Sequence, residues 1–333
     1  MPDHALPRYA DVAAASAMLR VHAVHTPVIT SPVIDQRLGA QVYFKCENLQ
    51  RSGSFKFRDA FNALQQLDDP QKRTGVVAFS SGNHALAVAQ AARGLHIPAV
   101  ILMPDDAPGT KIAAVKAHGC EVVLYDRLKD DRDELAQCFV ERRGLTLIHP
   151  FDDAHVIAGQ GSAAFELFEQ VAQLDALFVP VGGGGLLAGT LLVVQDIAPG
   201  CRVIGVEPET GNDMQMSLRV GARVRIAPPH TVADGARATC PGAKPFDIIR
   251  ELGCDLLAVS DAALVDAVRF CAENMKMIVE PTGCLGLAGV LAADAGTAGR
   301  IGVILTGGNT DLHSLNTLLQ QAAAAPGDKA APY

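Results

Sequence analysis

The 333-residue sequence has no tryptophan, few aromatic residues (5%) and no block of basic residues. Its 28 lysines and arginines are outnumbered by 36 aspartates and glutamates, which leaves a formal net charge of −8. An acidic chain without a basic patch disfavours nucleic acid and anionic membranes as partners. We therefore expect neither a nucleic acid nor a membrane surface as the partner of this chain.

Cysteine pairs of the CxxC type are also absent, although the chain contains eight cysteines. Their scattered spacing suits neither a zinc cage nor a small disulfide scaffold. The first 20 residues lack the charged region and the apolar region of a signal peptide. These absences together predict reduced thiols in a cytoplasmic protein.

A long membrane-spanning run is lacking as well. Residues 176–195 carry no charge, but Pro180 and the four glycines Gly182, Gly183, Gly184 and Gly185 interrupt them. Each remaining apolar piece is too short for the roughly 20 residues of a spanning helix. The segment instead predicts a buried strand, a turn and a buried helix.

Short apolar runs alternate with amphipathic stretches along most of the chain. Runs without polar alternation, separated by helices, are typical of parallel strands that are buried on both faces. The predicted strands are 76–79, 99–103, 121–125, 145–148, 176–181, 202–206, 256–259 and 301–305, and the predicted helices are 83–94, 109–118, 130–143, 186–195 and 261–277. This order predicts an α/β protein.

The two series of predicted strands suggest two domains. We expect a small domain at 55–146 and a large domain that combines 1–54 with 147–325. Residues 326–333 have no apolar periodicity and are expected to form a tail.

Three glycine-containing segments follow predicted strands: SSGNHA at 80–85, GGGG at 182–185 and TGGN at 306–309. Ligands of parallel α/β proteins collect at the carboxyl ends of the strands. Glycines there allow backbone N–H groups to approach an anion, and the next helix adds a favourable dipole. Turns often need glycine for their geometry alone, but three such loops in one chain are better explained by a ligand site.

The GGGG segment is open to two interpretations. Gly183-x-Gly185-x-x-Ala188 matches the dinucleotide fingerprint, and Glu207 lies at the end of the next predicted strand. This would predict an NAD(P)-dependent oxidoreductase. Four consecutive glycines exceed what that turn requires, however, and suit a cup of amides around one compact phosphate monoester.

Lys56 favours the second interpretation. It lies between Phe55 and Phe57 at the start of a predicted helix. Lysine is usually a surface charge, but a partly desolvated lysine is a better nucleophile toward a carbonyl group. A phosphate cup together with such a lysine is what a pyridoxal 5'-phosphate site requires.

At these residues the chain resembles the fold type II pyridoxal phosphate enzymes, which are similar to the tryptophan synthase β subunit. It particularly resembles the serine/threonine dehydratase and serine racemase branch. The motifs, in chain order, are Ser54-Phe55-Lys56, Ser80-Ser81-Gly82-Asn83-His84, the four glycines at 182–185, Glu280-Pro281-Thr282-Gly283 and Gly307-Gly308-Asn309. The resemblance runs from about His25 to Asp311 and implies two domains, each with a mainly parallel sheet flanked by helices.

The resemblance also implies how the cofactor is bound. Lys56 would hold pyridoxal phosphate covalently and then act as the base at the substrate Cα. Phe55 would pack on one side of the ring, Asn83 would bond the 3-hydroxyl oxygen, and Thr306 would face the pyridine nitrogen. Residues 182–185 would bind the phosphate.

Substrate residues follow from the same motifs. Ser80, Ser81 and the amides of Gly82, Asn83 and His84 would hold the carboxylate of an amino-acid substrate. Ser81 would also lie on the face of Cα opposite the lysine, where racemases of this branch use a serine as a second acid/base group.

A divalent-cation site is implied as well. Glu207 and Asp213 would supply carboxylates and Gly211 a backbone carbonyl oxygen. Such ligands suit Mg²⁺, Ca²⁺ or Mn²⁺. The alternative is an acidic turn with Asp213 near a helix N-terminus.

Three positions depart from the family pattern. Asp59 stands where glycine is usual, Leu86 where many members have glutamine, and Thr306 where serine or cysteine is commoner. Asp59 and Leu86 leave the identity of the substrate open.

The resemblance thus predicts a homodimeric ammonia-lyase (dehydratase) of a β-hydroxy-α-amino acid, with L-threonine or L-serine the leading substrates. A serine racemase or a dehydratase of 3-hydroxyaspartate or phenylserine is the alternative within the family. An NAD(P)-dependent oxidoreductase remains the alternative from another class.

Overall fold

The computed structural model describes residues 5–293 and 299–323, and the tail expected at 326–333 lies outside them. The described residues form two sheets. Their strands are β1 (Val28–Ile29), β2 (Gln41–Cys46), β3 (Val76–Phe79), β4 (Ala99–Pro104), β5 (Glu121–Tyr125), β6 (Thr146–Leu147), β7 (Ala176–Pro180), β8 (Arg202–Pro208), β9 (Asp255–Val259) and β10 (Arg300–Leu305).

Helices connect and cover these strands. They are α1 (Tyr9–Leu19), α2 (Pro32–Leu38), α3 (Lys56–Gln65), α4 (Asp69–Thr74), α5 (Asn83–Leu95), α6 (Gly109–Ala117), α7 (Arg132–Arg143), α8 (Ala154–Gln170), α9 (Gly185–Ile197), α10 (Asp213–Val220), α11 (Ala243–Leu252), α12 (Asp261–Asn274), α13 (Leu285–Ala292) and α14 (Leu312–Ala323). Among them there is no helix in the described ranges that is long and apolar enough to cross a membrane.

Both sheets are mainly parallel, as predicted. The six-stranded sheet has the order β1-β2-β10-β7-β8-β9, and only β1 runs antiparallel to its neighbour. The four-stranded sheet has the order β5-β4-β3-β6, with every pairing parallel. Strands such as β3 and β7 are buried along their whole length, which explains their uninterrupted apolar sequences.

The core lies on both faces of each sheet. Helices α8 and α9 pack closely against each other because glycines meet at their contact. A Cβ atom on Gly161 would lie 2.7 Å from the carbonyl oxygen of Gly189. This close approach fixes α9, whose first residue belongs to the glycine-rich loop.

The predicted loops come together at the carboxyl ends of the strands. Ser80 follows β3, the glycine-rich loop follows β7, and Thr306 follows β10. The turn before α3 is joined to the end of β10, since the Phe55 amide donates to the Thr306 carbonyl oxygen at 3.0 Å. Lys56, the first residue of α3, is therefore placed beside the loops of both sheets.

Candidate active site

A cavity of about 420 Å³ opens where these loops meet. This volume suits a cofactor or a small substrate. Its wall includes every residue that sequence analysis assigned to the cofactor and the substrate: Phe55, Lys56, Ser80, Ser81, Gly82, Asn83, His84, Gly182, Gly183, Gly184, Gly185 and Thr306. The structure thus brings together residues that are up to 251 positions apart, counting from Phe55 to Thr306.

Lys56 extends from the first turn of α3 into this cavity. Its Nζ donates to the carbonyl oxygen of Pro150, lies 3.3 Å from an Asp59 carboxylate oxygen and 5.0 Å from the centre of the Phe55 ring. Burial lowers the pKa of the Lys56 amine, and the carboxylate of Asp59 opposes part of that shift. A lowered pKa increases the fraction of neutral amine, which is the nucleophilic form.

The glycine-rich loop forms a narrow backbone cup. A Cβ atom on Gly183 would lie 2.2 Å from the ring of Phe151, and one on Gly184, whose φ is +95°, would lie 2.5 Å from Met214 Cε. On Gly185 it would lie 2.4 Å from Gln160 Oε1. A larger residue would therefore force its neighbours to move, and the free amides at the start of the 13-residue helix α9 provide donors for a phosphate group.

Asn83 is held in place by side chains from other elements. Its Nδ2 donates to Glu280 Oε1 at 2.5 Å, and its Oδ1 accepts from Asn309 Nδ2 at 2.9 Å. Burial and the negative charge of Asp234 raise the pKa of Glu280 to about 7. These contacts fix the orientation of the Asn83 amide in the cavity wall.

The loop from Ser80 to His84 also presents donors to the cavity. The Gly82 amide donates to Ser80 Oγ at 3.1 Å, and α5 begins at Asn83. Ser81 is half-buried in the cavity wall. Hydroxyl groups next to a helix N-terminus are suited to binding a carboxylate.

The predicted cation ligands do not line this cavity and lie at the end of β8 and in the turn that follows it. Glu207 accepts the amides of Met214 and Gln215 at 3.0 and 2.9 Å. Both carboxylate oxygens of Asp213 are buried and have no hydrogen-bond partner in the part of the chain that the structure describes. Burial raises the pKa of Glu207 to about 8, with a further contribution from Asp213, and burial raises the pKa of Asp213 to about 7.

Glu207 and Asp213 distinguish the two interpretations of this turn, a divalent-cation site and an acidic turn. No group of three His, Cys, Asp or Glu side chains suited to a metal occurs within residues 5–293 and 299–323. The two unpartnered oxygens of Asp213 nevertheless fit a hard cation that also takes carbonyl oxygens. Each oxygen of Glu207 accepts one amide at the start of α10 and keeps a lone pair for a further ligand.

Several cavity residues were missed by sequence analysis. Lys111, Arg132 and Arg237 line the same wall, and Gln160 contacts Asp59 beneath Lys56. They lie on separate elements and form no local motif, so no sequence signal could have grouped them. Leu86, which sequence analysis associated with the substrate, lines a neighbouring cavity of about 480 Å³.

The comparison with protein families agrees with this geometry. The sequence model of the family described as "Pyridoxal-phosphate dependent enzyme" matches residues 19–307. The chain belongs to this family, which uses pyridoxal phosphate.

Individual relatives place the chain within the branch that sequence analysis predicted. It is 52% identical to the serine racemase of Schizosaccharomyces pombe, over 95% of this chain and 98% of that protein. It is also 52% identical to an L-threo-3-hydroxyaspartate ammonia-lyase of a Pseudomonas species, over 95% and 99% of the two proteins. The structure of maize serine racemase superposes with a TM-score of 0.90 at 37% identity and covers 96% of this chain and 98% of its own. The predicted fold type and branch are confirmed, and the oxidoreductase alternative has no support.

Proposed function

We propose that this protein is a pyridoxal phosphate-dependent ammonia-lyase that converts a β-hydroxy-α-amino acid to a 2-oxo acid and ammonia. The observation that carries the proposal is the meeting of three parts in one cavity. These are the Lys56 amine, the glycine cup at 182–185 and the carboxylate-binding loop that begins at Ser80. The names of the relatives support the same reaction class.

The cavity residues fit the cofactor. Lys56 would hold pyridoxal phosphate covalently, and residues 182–185 would bind its phosphate through their amides. Phe55 would pack against the ring, Asn83 would bond the 3-hydroxyl oxygen, and the Thr306 hydroxyl would face the pyridine nitrogen. When bound, the cofactor supplies an electron-withdrawing system that acidifies the Cα–H bond of an attached amino acid.

Proton transfer would then be the work of the lysine amine. Ser80, Ser81 and the amides of Gly82, Asn83 and His84 bind the substrate carboxylate and orient the Cα–H bond. The Lys56 amine, neutral when released, takes the Cα proton. The β-hydroxyl leaves as water with a proton returned by the Lys56 ammonium, and the remaining enamine tautomerises to an imine, which takes up water to give the 2-oxo acid and ammonia.

L-Threonine and L-serine are the leading substrates, and 3-hydroxyaspartate is a second candidate supported by charge. Lys111, Arg132 and Arg237 line the cavity. Arg132 is 3.7 Å from its ion-pair partner Asp133, a distance longer than a hydrogen bond, and Arg237 bonds the Thr231 carbonyl oxygen. Such guanidinium groups suit a second carboxylate on the substrate.

A panel of β-hydroxy amino acids tests the reaction and the substrate together. We expect the purified protein to absorb visible light and to release a 2-oxo acid from at least one of L-threonine, L-serine, L-threo-3-hydroxyaspartate and phenylserine. Faster turnover of 3-hydroxyaspartate, lost in Arg132→Gln, would select the second candidate. A bound nicotinamide, or no 2-oxo acid from any member of the panel, would refute the proposal.

Borohydride reduction followed by peptide mapping tests the role of Lys56. We expect a pyridoxyl group on Lys56. The matched control is Lys116→Ala, an exposed lysine on α6, which should leave labelling unchanged. A pyridoxyl group on a different lysine would overturn the assignment.

We also propose a divalent cation, Mg²⁺ or else Ca²⁺ or Mn²⁺, at Glu207, Asp213 and the Gly211 carbonyl oxygen. The unpartnered, buried oxygens of Asp213 support this site. A cation there would compensate two buried carboxylates whose pKa values are raised by their surroundings.

The remaining proposals concern organisation. We propose a cytoplasmic homodimer, for which sedimentation should give twice the mass of one chain. We further propose a small domain at 55–146 and a large domain that combines 1–54 with 147–325. The presence of β3, β4 and β5 in one sheet and of β1, β2 and β7 to β10 in the other supports this division.

A further inference from the structure

Asp59 lies beneath Lys56, one helical turn further along α3, and is fully buried. One of its oxygens, Oδ2, lies 3.3 Å from Lys56 Nζ and accepts from Gln160 Nε2 at 2.6 Å. The other, Oδ1, lies 3.6 Å from His84 Nδ1. A buried carboxylate therefore connects the lysine to the substrate-binding loop.

The tautomer of His84 follows from its other contact. His84 Nε2 is 3.0 Å from the carbonyl oxygen of Ile148, which can only accept, so Nε2 carries a hydrogen. In a neutral ring Nδ1 would then direct a lone pair at Asp59 Oδ1. Both atoms are buried and have no other hydrogen-bond partner among the described residues.

Two buried lone pairs that face each other are unfavourable. The Asp59 carboxylate is therefore stabilised through its other oxygen, Oδ2, by the Lys56 amine and the Gln160 amide.

We propose that Asp59 is a positioning residue for Lys56, because its buried carboxylate, held by Gln160 and next to His84, stabilises the ammonium form of the lysine. The proposal rests on the proposed function in one respect, the role of Lys56 as the base. When the amine takes the Cα proton, a C–H bond breaks and an N–H bond forms. The resulting positive charge is balanced by the Asp59 carboxylate, so that no proton has to leave the cavity.

The surroundings of Asp59 contain few competing charges. Arg58, the preceding residue, already pairs with Glu47 and Glu166 on the other side of α3. Helix α5 contributes His84, and α8 contributes the neutral amide of Gln160. The cation in direct contact with the Asp59 carboxylate is therefore the Lys56 ammonium.

This carboxylate departs from the pattern of the family that the chain resembles, in which glycine is usual at position 59. Helix α8 approaches it through Gly159, where a Cβ atom would lie 2.7 Å from the Asp59 Cα.

Titration of Lys56 in the full-length, cofactor-free protein tests the proposal without relying on activity. An amine-reactive reagent is applied across a pH series, and the labelling of Lys56 is followed by peptide mass spectrometry. We expect Asp59→Asn to lower the apparent pKa of Lys56 by about one unit, and so to raise labelling about tenfold at a pH below that pKa. In the loaded enzyme the same variant should lower kcat more than it changes KM.

Asp69→Asn is the matched control, because Asp69 is exposed on the short helix α4. It removes the same charge and should leave the titration of Lys56 unchanged. If Asp59→Asn does not fold, Asp59→Gly takes its place, and failure of both to fold would assign Asp59 to the structure and overturn the proposal. An unchanged titration in a folded variant would also overturn it, whereas a pyridoxyl group on another lysine would refute only the role of Lys56.

Discussion

Ser81 is the residue at which elimination and racemisation separate. Racemisation requires a second acid/base group on the face of Cα opposite Lys56, because one base can only return the proton to the face it came from. Elimination needs no such group. We therefore expect Ser81→Ala to abolish any racemisation and to leave measurable deamination of the L-substrate, with chiral analysis after partial turnover as the measurement.

Ser80→Ala is the appropriate comparison for this variant. It removes a hydroxyl from the same loop without touching the proposed acid/base group, so both activities should change together. A Ser81→Ala enzyme that still racemises would disprove the role of Ser81. A wild type that racemises faster than it eliminates would make the relative from Schizosaccharomyces pombe the better guide to function.

The substitution Gly183→Ala tests the phosphate cup by adding one methyl group to it. The added Cβ of Gly183→Ala would lie 2.2 Å from the Phe151 ring, so the loop or the ring must move. We expect a loss of about 1–3 kcal/mol in the free energy of unfolding and weaker binding of pyridoxal phosphate, measured by urea denaturation and absorbance titration. Gly200→Ala, where the new Cβ meets no atom within 4 Å, should change neither, and equal behaviour of the two variants would contradict the cup.

Helix α3 carries Lys56 and is anchored by buried charges. The Arg58 guanidinium bonds Glu47 at 2.7 and 2.8 Å and Glu166 at 2.7 Å. Removal of one partner from a buried ion pair leaves an uncompensated charge. We expect Arg58→Ala to lower the free energy of unfolding by about 3–5 kcal/mol in urea denaturation.

An exposed ion pair supplies the control for this helix. Arg202 and Asp255 are 2.7 Å apart but have side chains 65% and 59% exposed. Arg202→Ala should cost no more than about 1 kcal/mol. Similar losses in the two variants would show that the buried network does not anchor α3.

The turn between β8 and α10 gives a prediction about metal removal. If the Asp213 oxygens bind a cation, excess chelator should lower the melting temperature and the activity, and Mg²⁺ should restore both by ligand linkage. Asp213→Asn should abolish this response to chelator and Mg²⁺. An unchanged melting curve in chelator, with no metal in the purified protein, would favour the acidic turn.

Among the elements, strands with an uninterrupted apolar run could be predicted, whereas β2 could not. The predicted bounds of β3 and β5 agree with the structure. Strand β2 was not predicted because Lys45 interrupts its apolar pattern. That lysine is buried through contacts with Glu166 and Gln170, which lie more than 120 residues away, and no local pattern reveals such partners.

Helix ends show a similar limit. The amphipathic pattern predicted a helix over 261–277, but α12 ends at Asn274. Lys276 adopts a φ of +56°, which an α-helix cannot continue through. Residues 275–277 contain no glycine or proline that would have signalled the end of the helix.

At the scale of the whole molecule, the position of the cavity could be predicted because glycine-rich loops follow parallel strands in both sheets. The complete set of residues that line the cavity could not be predicted. Lys111 and Asp234 form an ion pair of 3.0 Å across 123 positions of sequence, and Asp59 meets Gln160 across 101. Contacts of this kind depend on how the two sheets face each other, which periodicity does not encode.

This arrangement leads to a prediction about cofactor removal. The loop at Ser80 to His84 follows a strand of the four-stranded sheet, whereas residues 182–185 and Thr306 follow strands of the six-stranded sheet. A cofactor that contacts both groups binds the folded chain and not the unfolded one, so it must stabilise the fold. At a cofactor concentration of 100 times Kd the gain in the free energy of unfolding is about 2.7 kcal/mol.

We expect removal of the cofactor with hydroxylamine to lower the melting temperature and added pyridoxal phosphate to restore it, while inorganic phosphate restores only part of the loss. Lys56→Ala should retain the gain from inorganic phosphate and lose most of the additional gain from pyridoxal phosphate. Equal melting temperatures with and without the cofactor would contradict a site that spans both sheets.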